Sequence, residues 1–198
     1  MILDFTISNF RSIKDAQTIS FEATSDSHLE SYYVVQKDKY RILKIATILG
    51  ANASGKTNII RAFSLLHDLI LEPCKNKNSK IEYNKFALDE KSAEEDSVMK
   101  VNFLCGNQKY YYEVHFNNRE VTYELLKRHP FGDLRSHRVF ERTLDLSSDT
   151  SVIKWFGKYK STSNARDLSS NLIHNRTVFG ASKHECRHRL DEGNYRLD

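Results

Sequence analysis

One eight-residue stretch constrains the fold of this chain more than any other. Residues 50–57 read Gly-Ala-Asn-Ala-Ser-Gly-Lys-Thr, which matches GxxxxGK[ST], the pattern of a loop that holds phosphate groups. The mostly apolar residues Ile45–Leu49 precede it and predict a strand buried on both faces. A helical spacing of apolar residues follows from Lys56 to Glu72, and Pro73 ends it. The order strand, loop, helix predicts an α/β P-loop NTPase fold.

Each residue type in this loop has a physical role in holding a nucleotide. Gly50 and Gly55 allow backbone conformations that a β-carbon hinders, so that successive N–H groups can point at an anion. The start of the following helix adds the positive end of its dipole. Lys56 supplies a cation for the terminal phosphates, and the Thr57 hydroxyl can hold Mg²⁺. We therefore expect ATP and Mg²⁺ as cofactors. The predicted nucleotide-binding residues of this segment are Gly50, Ala51, Asn52, Ala53, Ser54, Gly55, Lys56, Thr57 and Asn58.

Alternating apolar and polar residues predict strands on both sides of this unit. Met1–Phe10, Gln17–Ala23 and Arg41–Leu49 read as three strands. From about residue 81 to residue 143 the alternation predicts an antiparallel β-meander, with hairpin turns at Gly106-Asn107 and Asn117-Asn118. We therefore predict a mixed sheet that carries the loop and is flanked by the meander.

Two later segments have less specific patterns. Residues 110–112 are three consecutive tyrosines, which we interpret as a strand with two inward rings and one outward ring. Stacking on a nucleic-acid base is the alternative. Asn164–Ser182 is predicted to be helical. The basic stretch Lys75–Lys80 is predicted to be a solvated loop, with a phosphate-backbone contact as the alternative.

Composition excludes several classes of protein. The chain has 198 residues, of which 39% are hydrophobic and 28% are charged, a balance that favours a globular domain over disorder. Its formal charge of +4 permits a nucleic-acid partner without requiring one. The three cysteines lie far apart, which argues against a disulfide scaffold or a zinc ribbon. With no signal-peptide pattern and no long apolar run, a cytoplasmic location is expected.

The loop and a segment about 40 residues upstream together resemble a known family. Residues 7–13 read Ile-Ser-Asn-Phe-Arg-Ser-Ile, and the loop continues into Asn58. This pairing resembles the ABC-type ATPase heads of the RecF and SMC class. Within it, the chain looks most like bacterial AAA-type ATP-binding proteins grouped with the OLD-like and abortive-infection ATPases. The resemblance implies that residues 1–182 form the N-terminal lobe of such a head, and that residues 183–198 are a polar tail, truncated or disordered.

The same resemblance implies how the protein works. Two heads of this class sandwich ATP as a homodimer, and hydrolysis is coupled to DNA-associated work such as phage defence or repair. DNA or a defence effector would then be the partner. Arg11 and Ser12 would lie near the nucleotide, with Arg11 as a candidate phosphate contact. The alternative for Arg11 is a surface arginine that follows an edge strand.

A head of this class also needs a glycine-containing signature and an apolar strand that ends in Asp-Glu. The nearest matches are Phe86–Glu90, which we interpret as an exposed loop end, and Asp167–Asn171, which we interpret as a helix start. Neither carries the full pattern. We therefore expect the chain to bind nucleotide weakly and to hydrolyse it poorly, as a fragment of a longer ATPase or a truncated product. An inert remnant or interaction module is the alternative.

One further motif points to different chemistry. Residues 184–188 read His-Glu-Cys-Arg-His, which matches the HExxH pattern of zinc hydrolases. On a helix the two histidines would share a face, with Glu185 as the base and Glu192 as a candidate third ligand. Because two arginines lie beside this would-be cation site, we favour a polar tail and keep a zinc-dependent hydrolase as the remote alternative.

Overall fold

The computed structural model describes residues 1–71, 78–133, 135–145, 150–172 and 174–181. Strands β1 to β9 are Ile2–Ser8, Gln17–Ser20, Val34–Lys37, Tyr40–Leu43, Ser97–Cys105, Gln108–Phe116, Val121–Pro130, His137–Asp145 and Thr150–Trp155. Helices α1 to α5 are Glu30–Tyr33, Lys56–Leu71, Glu90–Glu94, Ser163–Asn171 and Val178–Ala181. A 3-10 turn covers Gly157–Ser161. No helix in these ranges is long and apolar enough to cross a membrane.

A seven-stranded sheet in the order β2-β1-β5-β6-β7-β8-β9 forms the body of the protein. Strands β3 and β4 make a separate hairpin. Alternation along β1 buries Phe5 and Ile7, as expected of a strand with one covered face. Helix α2 covers that face with residues spaced three and four apart, because this spacing places them on one side of a helix. These helix residues are Ala62, Leu65, Leu66 and Leu69.

The predicted meander is confirmed, with altered limits. Strands β5 to β9 pair in sequence, each antiparallel to the next. The hairpin at Gly106-Asn107 is a two-residue turn in which Gly106 has φ 56°. The turn at Asn117 is longer, since the Asn117 side chain accepts hydrogen bonds from the N–H groups of Arg119 and Glu120. The meander begins at Ser97 rather than near residue 81, because residues 81–96 form a loop and helix α3.

The prediction of a buried strand before the loop is wrong for this structure. Strand β4 ends at Leu43, and residues 45–49 belong to no strand or helix. The side chains of Ile45 and Leu49 are 67% and 86% exposed. A strand needs hydrogen-bonding neighbours, and β1 already lies between β2 and β5. The described sheet therefore offers no place beside β1 for the segment.

The mixed sheet is also wrong, since every described strand pairing is antiparallel. The described part of the chain is α/β, with one large antiparallel sheet and few helices. The predicted helix at 164–182 is interrupted: α4 ends at Asn171 and α5 begins at Val178. Asp167–Asn171 lies inside α4 rather than at its start, because Thr162 caps that helix by accepting from the Ala165 N–H.

Candidate nucleotide-binding site

The loop at residues 50–55 folds around the side chain of the first residue of α2. Lys56 Nζ donates to the carbonyl oxygens of Gly50, at 2.8 Å, and Ala51, at 2.5 Å. Ser54 Oγ lies 3.4 Å from the same nitrogen. The loop therefore forms a concave backbone with a cation at its centre. An entering anion can recruit this ammonium by replacing the carbonyl oxygens.

Several backbone N–H groups of the loop are available to such an anion. The Ser54 N–H donates to the Ala51 carbonyl at 3.3 Å. Among the described residues, the N–H groups of Asn52, Ala53 and Gly55 have no acceptor. Residues 50–54 are exposed, and the 16-residue helix α2 begins directly after them. Unpaired N–H groups at the start of a helix attract anions, so this part of the loop can hold phosphate oxygens.

The geometry requires glycine at position 55 and leaves little space for a side chain at position 50. A β-carbon at Gly50 would lie 2.8 Å from Ser54 Oγ and 3.8 Å from Lys56 Cδ, which would fill the cradle beside the lysine. Gly55 has φ 90°, which L-residues rarely adopt, and its β-carbon would lie 3.3 Å from Ser12 Oγ. The loop is therefore shaped for close approach of a ligand to the backbone.

Thr57 follows the lysine in the first turn of α2 and is exposed. Its hydroxyl forms no hydrogen bond with the described residues, so the oxygen is available as a hard ligand of the kind that Mg²⁺ prefers. The loop thus combines a cation, three unpaired N–H groups and one hydroxyl. This set fits a nucleotide triphosphate with Mg²⁺.

A turn after strand β1 supports the loop from one side. Asn58, in the first turn of α2, donates from Nδ2 to Ser12 Oγ at 2.8 Å. Ser12 is held in place because Phe10 and Ile13 exchange backbone hydrogen bonds at 2.8 Å. The structure therefore brings Ser12 and Asn58 together at the loop, and a nucleotide contact from either residue stays a prediction.

Asn9 anchors this turn, and its role was not predicted from the sequence. Its Nδ2 donates to the carbonyls of Ser92 at 2.7 Å and Glu95 at 2.9 Å, and its Oδ1 accepts from the Phe86 N–H at 3.1 Å. The residue has φ 50° and is 5% exposed. Ser97 Oγ donates to its carbonyl at 2.5 Å. The available signal was its place in Asn-Phe-Arg-Ser, because asparagine tolerates positive φ better than most residues.

Arg11 lies in the same turn, but its side chain makes no hydrogen bond or ion pair with the described residues of the loop. Its backbone N–H donates to Asn84 at 2.9 Å, and its guanidinium lies 5.9 Å from the centre of the Phe10 ring. Within the described ranges, no hydrogen bond or ion pair joins its side chain to residues 50–58. Arg11 is half-buried and follows β1, which is an inner strand rather than an edge strand, and a phosphate contact from it stays a prediction.

The acidic segment Phe86–Glu90 serves helix α3. Asp89 caps this helix by accepting from the Ser92 N–H at 2.9 Å, and it also pairs with Lys14 at 3.1 Å. Hydrogen bonds from Ser92 and Lys14 lower the pKa of Asp89 to about 2. Its carboxylate is therefore occupied by structural contacts, which agrees with the expectation that this segment is not an Asp-Glu strand end.

A second charged cluster lies in the core, away from the loop. Glu124 and Arg142 are fully buried, 3.8 Å apart. Glu124 accepts from the N–H groups of Val178 and Phe179, at 2.6 and 3.0 Å, and from the Tyr112 hydroxyl at 2.9 Å. Burial raises the pKa of the Glu124 carboxyl. This network pins the start of α5 to the sheet, so we assign it a structural role.

Other charged motifs of the sequence lie outside the described residues. These are His184–His188 with its possible ligand Glu192, the polar tail 183–198, and Lys75–Lys77 of the basic stretch. Across the described part of the chain, no group of three or more His, Cys, Asp or Glu residues could hold a metal ion.

A comparison with known protein families supports the interpretation of residues 50–57 as a phosphate-binding loop. A family model described as "AAA domain, putative AbiEii toxin, Type IV TA system" matches residues 45–196. The match covers about three quarters of the chain and begins at the apolar segment directly before the loop. No curated protein matches the chain.

Proposed function

This chain belongs to the AbiEii-like family of AAA domains, the abortive-infection-like ATPases, and from that membership we propose that residues 1–182 form the N-terminal lobe of an ABC-type ATPase head that binds MgATP. One observation carries the proposal. The loop holds the Lys56 ammonium at its centre, with the N–H groups of Asn52, Ala53 and Gly55 unpaired beside it.

Each residue around the loop would have a different role in binding MgATP. Lys56 would exchange the Gly50 and Ala51 carbonyls for terminal phosphate oxygens, and the unpaired N–H groups would bind the remaining oxygens. The Thr57 hydroxyl would hold Mg²⁺, which neutralises phosphate charge during phosphoryl transfer. Ser12 would act through Asn58 and Gly55 by keeping the loop in its open, concave shape.

We further propose that this lobe needs a second segment for efficient hydrolysis. The exposure of Ile45 and Leu49 supports this, since an apolar segment next to the loop has no strand partner in the described structure. No apolar strand ending in Asp-Glu occurs in the described ranges either. In the RecF/SMC-like class that the sequence resembles, such a lobe works in the cytoplasm within a homodimer of heads that couples ATP hydrolysis to DNA-associated work.

Nucleotide binding is tested by titrating the chain with ATP and Mg²⁺ in a calorimeter. We expect measurable binding that weakens at least about tenfold in Lys56→Ala, because a charge-assisted contact contributes roughly 1.5–3 kcal/mol. Lys91→Ala is the matched control, since that lysine is exposed and pairs only with Glu95. Absence of binding in the unmodified chain would favour the inert remnant instead.

Hydrolysis is tested separately by steady-state phosphate release. We expect slow turnover from the isolated chain. Rapid turnover that disappears in Lys56→Ala would contradict the claim that a second segment is needed, while leaving nucleotide binding intact.

A further inference from the structure

A concave basic surface lies at one end of the sheet. It is built from residues outside the loop at residues 50–55, which we call the nucleotide loop. A cavity of about 430 Å³ is lined by strand β4 and by the ends of β5, β6 and β7. An adjoining cavity of about 310 Å³ shares Arg128 and Ser136 with it. We call the two cavities together the basic groove. Its defining residues in the larger cavity are Lys39, Tyr40, Lys109, Tyr111, Lys127 and Arg128.

The four lysine and arginine cations of the larger cavity form no ion pair with the described residues, whereas Arg138 of the adjoining cavity pairs with Glu141 at 2.9 Å. In the part of the chain that the structure describes, Lys39, Lys109, Lys127 and Arg128 form no ion pair. Four unpaired cations therefore line one concave site, where an anionic ligand is attracted more strongly than on a flat surface.

Arg128 lies at the junction of the two cavities. Its Nε is buried and has no hydrogen-bond partner among the described residues, although buried donors in proteins are normally paired. A bulge in the pairing of β7 with β8 falls between Leu126 and Lys127. Because a bulge re-aims the side chains beside it, Lys127 and Arg128 can line the same groove although they are consecutive in a strand. Arg128 therefore contributes its positive charge to both cavities.

Aromatic rings alternate with the cations. The ammonium groups of Lys39 and Lys109 each lie 5.6 Å from the centre of the Tyr40 ring, and that of Lys127 lies 5.4 Å from the Tyr111 ring. Tyr111 is the outward ring of the three consecutive tyrosines, since Tyr110 and Tyr112 pack into the core. Its hydroxyl donates to Glu113 Oε2 at 2.5 Å, which holds the ring in one orientation.

The adjoining cavity repeats the same chemistry. The Arg138 guanidinium lies 5.6 Å from the centre of the Phe156 ring, and Lys158 Nζ lies 5.3 Å from that of Tyr159. Cation–aromatic pairs therefore continue from one cavity into the next. This continuity suits a ligand that presents anionic groups and flat rings repeatedly along its length, rather than a single small anion.

We propose that the basic groove binds single-stranded nucleic acid, with phosphates on its lysines and Arg128 and with a base stacked on Tyr111 or Tyr40. Proteins that bind single strands combine a positively charged groove with aromatic stacking platforms. A membrane surface fits less well, because none of the exposed large hydrophobic residues of the described structure lines the groove. The inference names a ligand for the proposed DNA-associated role, and the choice of nucleic acid as that ligand rests on the proposed function. The groove itself is independent of ATP binding, because it shares no residue with the nucleotide loop.

The test is fluorescence anisotropy of a labelled 20-nucleotide oligothymidylate titrated with the full chain at several salt concentrations. We expect binding that weakens as salt rises. Lys109→Ala/Lys127→Ala should weaken it at least about tenfold and reduce the slope of log K against log salt by roughly 1.4, because each phosphate contact on a single strand contributes about 0.7. Lys91→Ala/Lys154→Ala is the matched control outside the groove and should bind as the unmodified chain does.

A second pair of variants separates stacking from general charge attraction. Tyr111→Ala should weaken binding about 5-fold to 150-fold, which corresponds to one lost base stack, whereas Tyr111→Phe keeps the ring and should retain most of the affinity. Equal binding by both variants would overturn the stacking assignment.

Two competitors test the class of ligand. Tighter binding of a DNA duplex or of polyglutamate than of the single strand would overturn the proposal.

The two binding sites can be tested independently. Lys56→Ala is expected to leave oligothymidylate binding unchanged, and the groove variants are expected to leave ATP binding unchanged. Failure of either proposal is therefore visible independently of the other.

Discussion

Asn58 donates a hydrogen bond to Ser12 at 2.8 Å, which joins the first turn of helix α2 to the turn after strand β1. The two residues are 46 positions apart in the chain. Ser12 Oγ is also the atom nearest to the position that a β-carbon of Gly55 would take, at 3.3 Å. Ser12 therefore links the nucleotide loop to the main sheet.

Removing that hydroxyl should loosen the loop more than it destabilises the protein. In Ser12→Ala we expect the free energy of unfolding in urea to fall by about 0.5–1.5 kcal/mol, the net contribution of one hydrogen bond. We expect ATP affinity, measured by calorimetry, to fall about 2-fold to 10-fold. Ser31→Ala, on an exposed part of α1, should change neither quantity. Unchanged ATP affinity in Ser12→Ala would contradict the supporting role.

Asn9 should matter more for stability than any exposed residue of the same turn. In Asn9→Ala the carbonyls of Ser92 and Glu95 lose their donor in a buried place. We expect a loss of about 2–4 kcal/mol in urea unfolding, since one unsatisfied buried group costs roughly 1–3 kcal/mol. Asn84→Ala is the control, because that side chain is exposed, and it should stay within about 0.5 kcal/mol. A loss below 1 kcal/mol in Asn9→Ala would refute the anchoring role.

The buried pair Glu124–Arg142 should be strongly coupled. Arg142→Met leaves a buried carboxylate without its cation, and we expect a cost of about 3–5 kcal/mol. Glu124→Gln/Arg142→Met should cost less than the sum of the two single changes, and a double-mutant cycle from urea unfolding measures the difference.

The stability of the Arg142→Met variant should also depend on pH. Burial raises the folded-state pKa of Glu124, and loss of the cation raises it further. A group whose folded pKa exceeds its unfolded value stabilises the protein at low pH and loses that contribution as pH rises through the folded pKa. The variant should therefore be more destabilised at pH 8 than at pH 5. An equal loss at both would exclude an ionised carboxylate as the cause.

Asp89 should contribute to acid sensitivity. Its folded pKa of about 2 lies below the ordinary value of 3.8, so its stabilisation is present above about pH 4 and is lost as pH falls toward 2. Asp89→Asn should therefore show a smaller fall in unfolding free energy between pH 6 and pH 3 than the unmodified chain. Asp15→Asn is the control, since its carboxylate contacts no described residue through a hydrogen bond or ion pair. A profile for Asp89→Asn that matches this control would disprove the assignment.

The apolar segment before the loop allows a direct comparison of two expectations. With 86% of its side chain exposed, Leu49 should tolerate substitution by alanine with a change in unfolding free energy of under about 0.5 kcal/mol. A leucine in a strand buried on both faces would cost about 2–5 kcal/mol instead, as Leu66→Ala in the core of α2 should. A fall of about 2 kcal/mol or more in the unfolding free energy of Leu49→Ala would instead support a buried strand at residues 45–49.

Local patterns were sufficient for some elements. Helix α2 begins at Lys56 and the meander has the predicted hairpins, because amphipathic spacing and turn residues act over a few neighbouring residues. The segment 45–49 could not be predicted in the same way. Its apolar composition indicates a strand, but a strand also needs partners, and the pairing of β1 with β2 and β5 leaves none beside it.

The sequence by itself determined the nucleotide loop, since two glycines, a lysine and a threonine at fixed spacing before an amphipathic helix suffice to specify it. Only the tertiary structure decided what surrounds the loop. Asn9 reaches carbonyls more than 80 positions away, and the basic groove collects side chains from β4, β6 and β7. Such contacts depend on strand order and register, which are set by packing across the whole sheet rather than by any one short stretch of the chain.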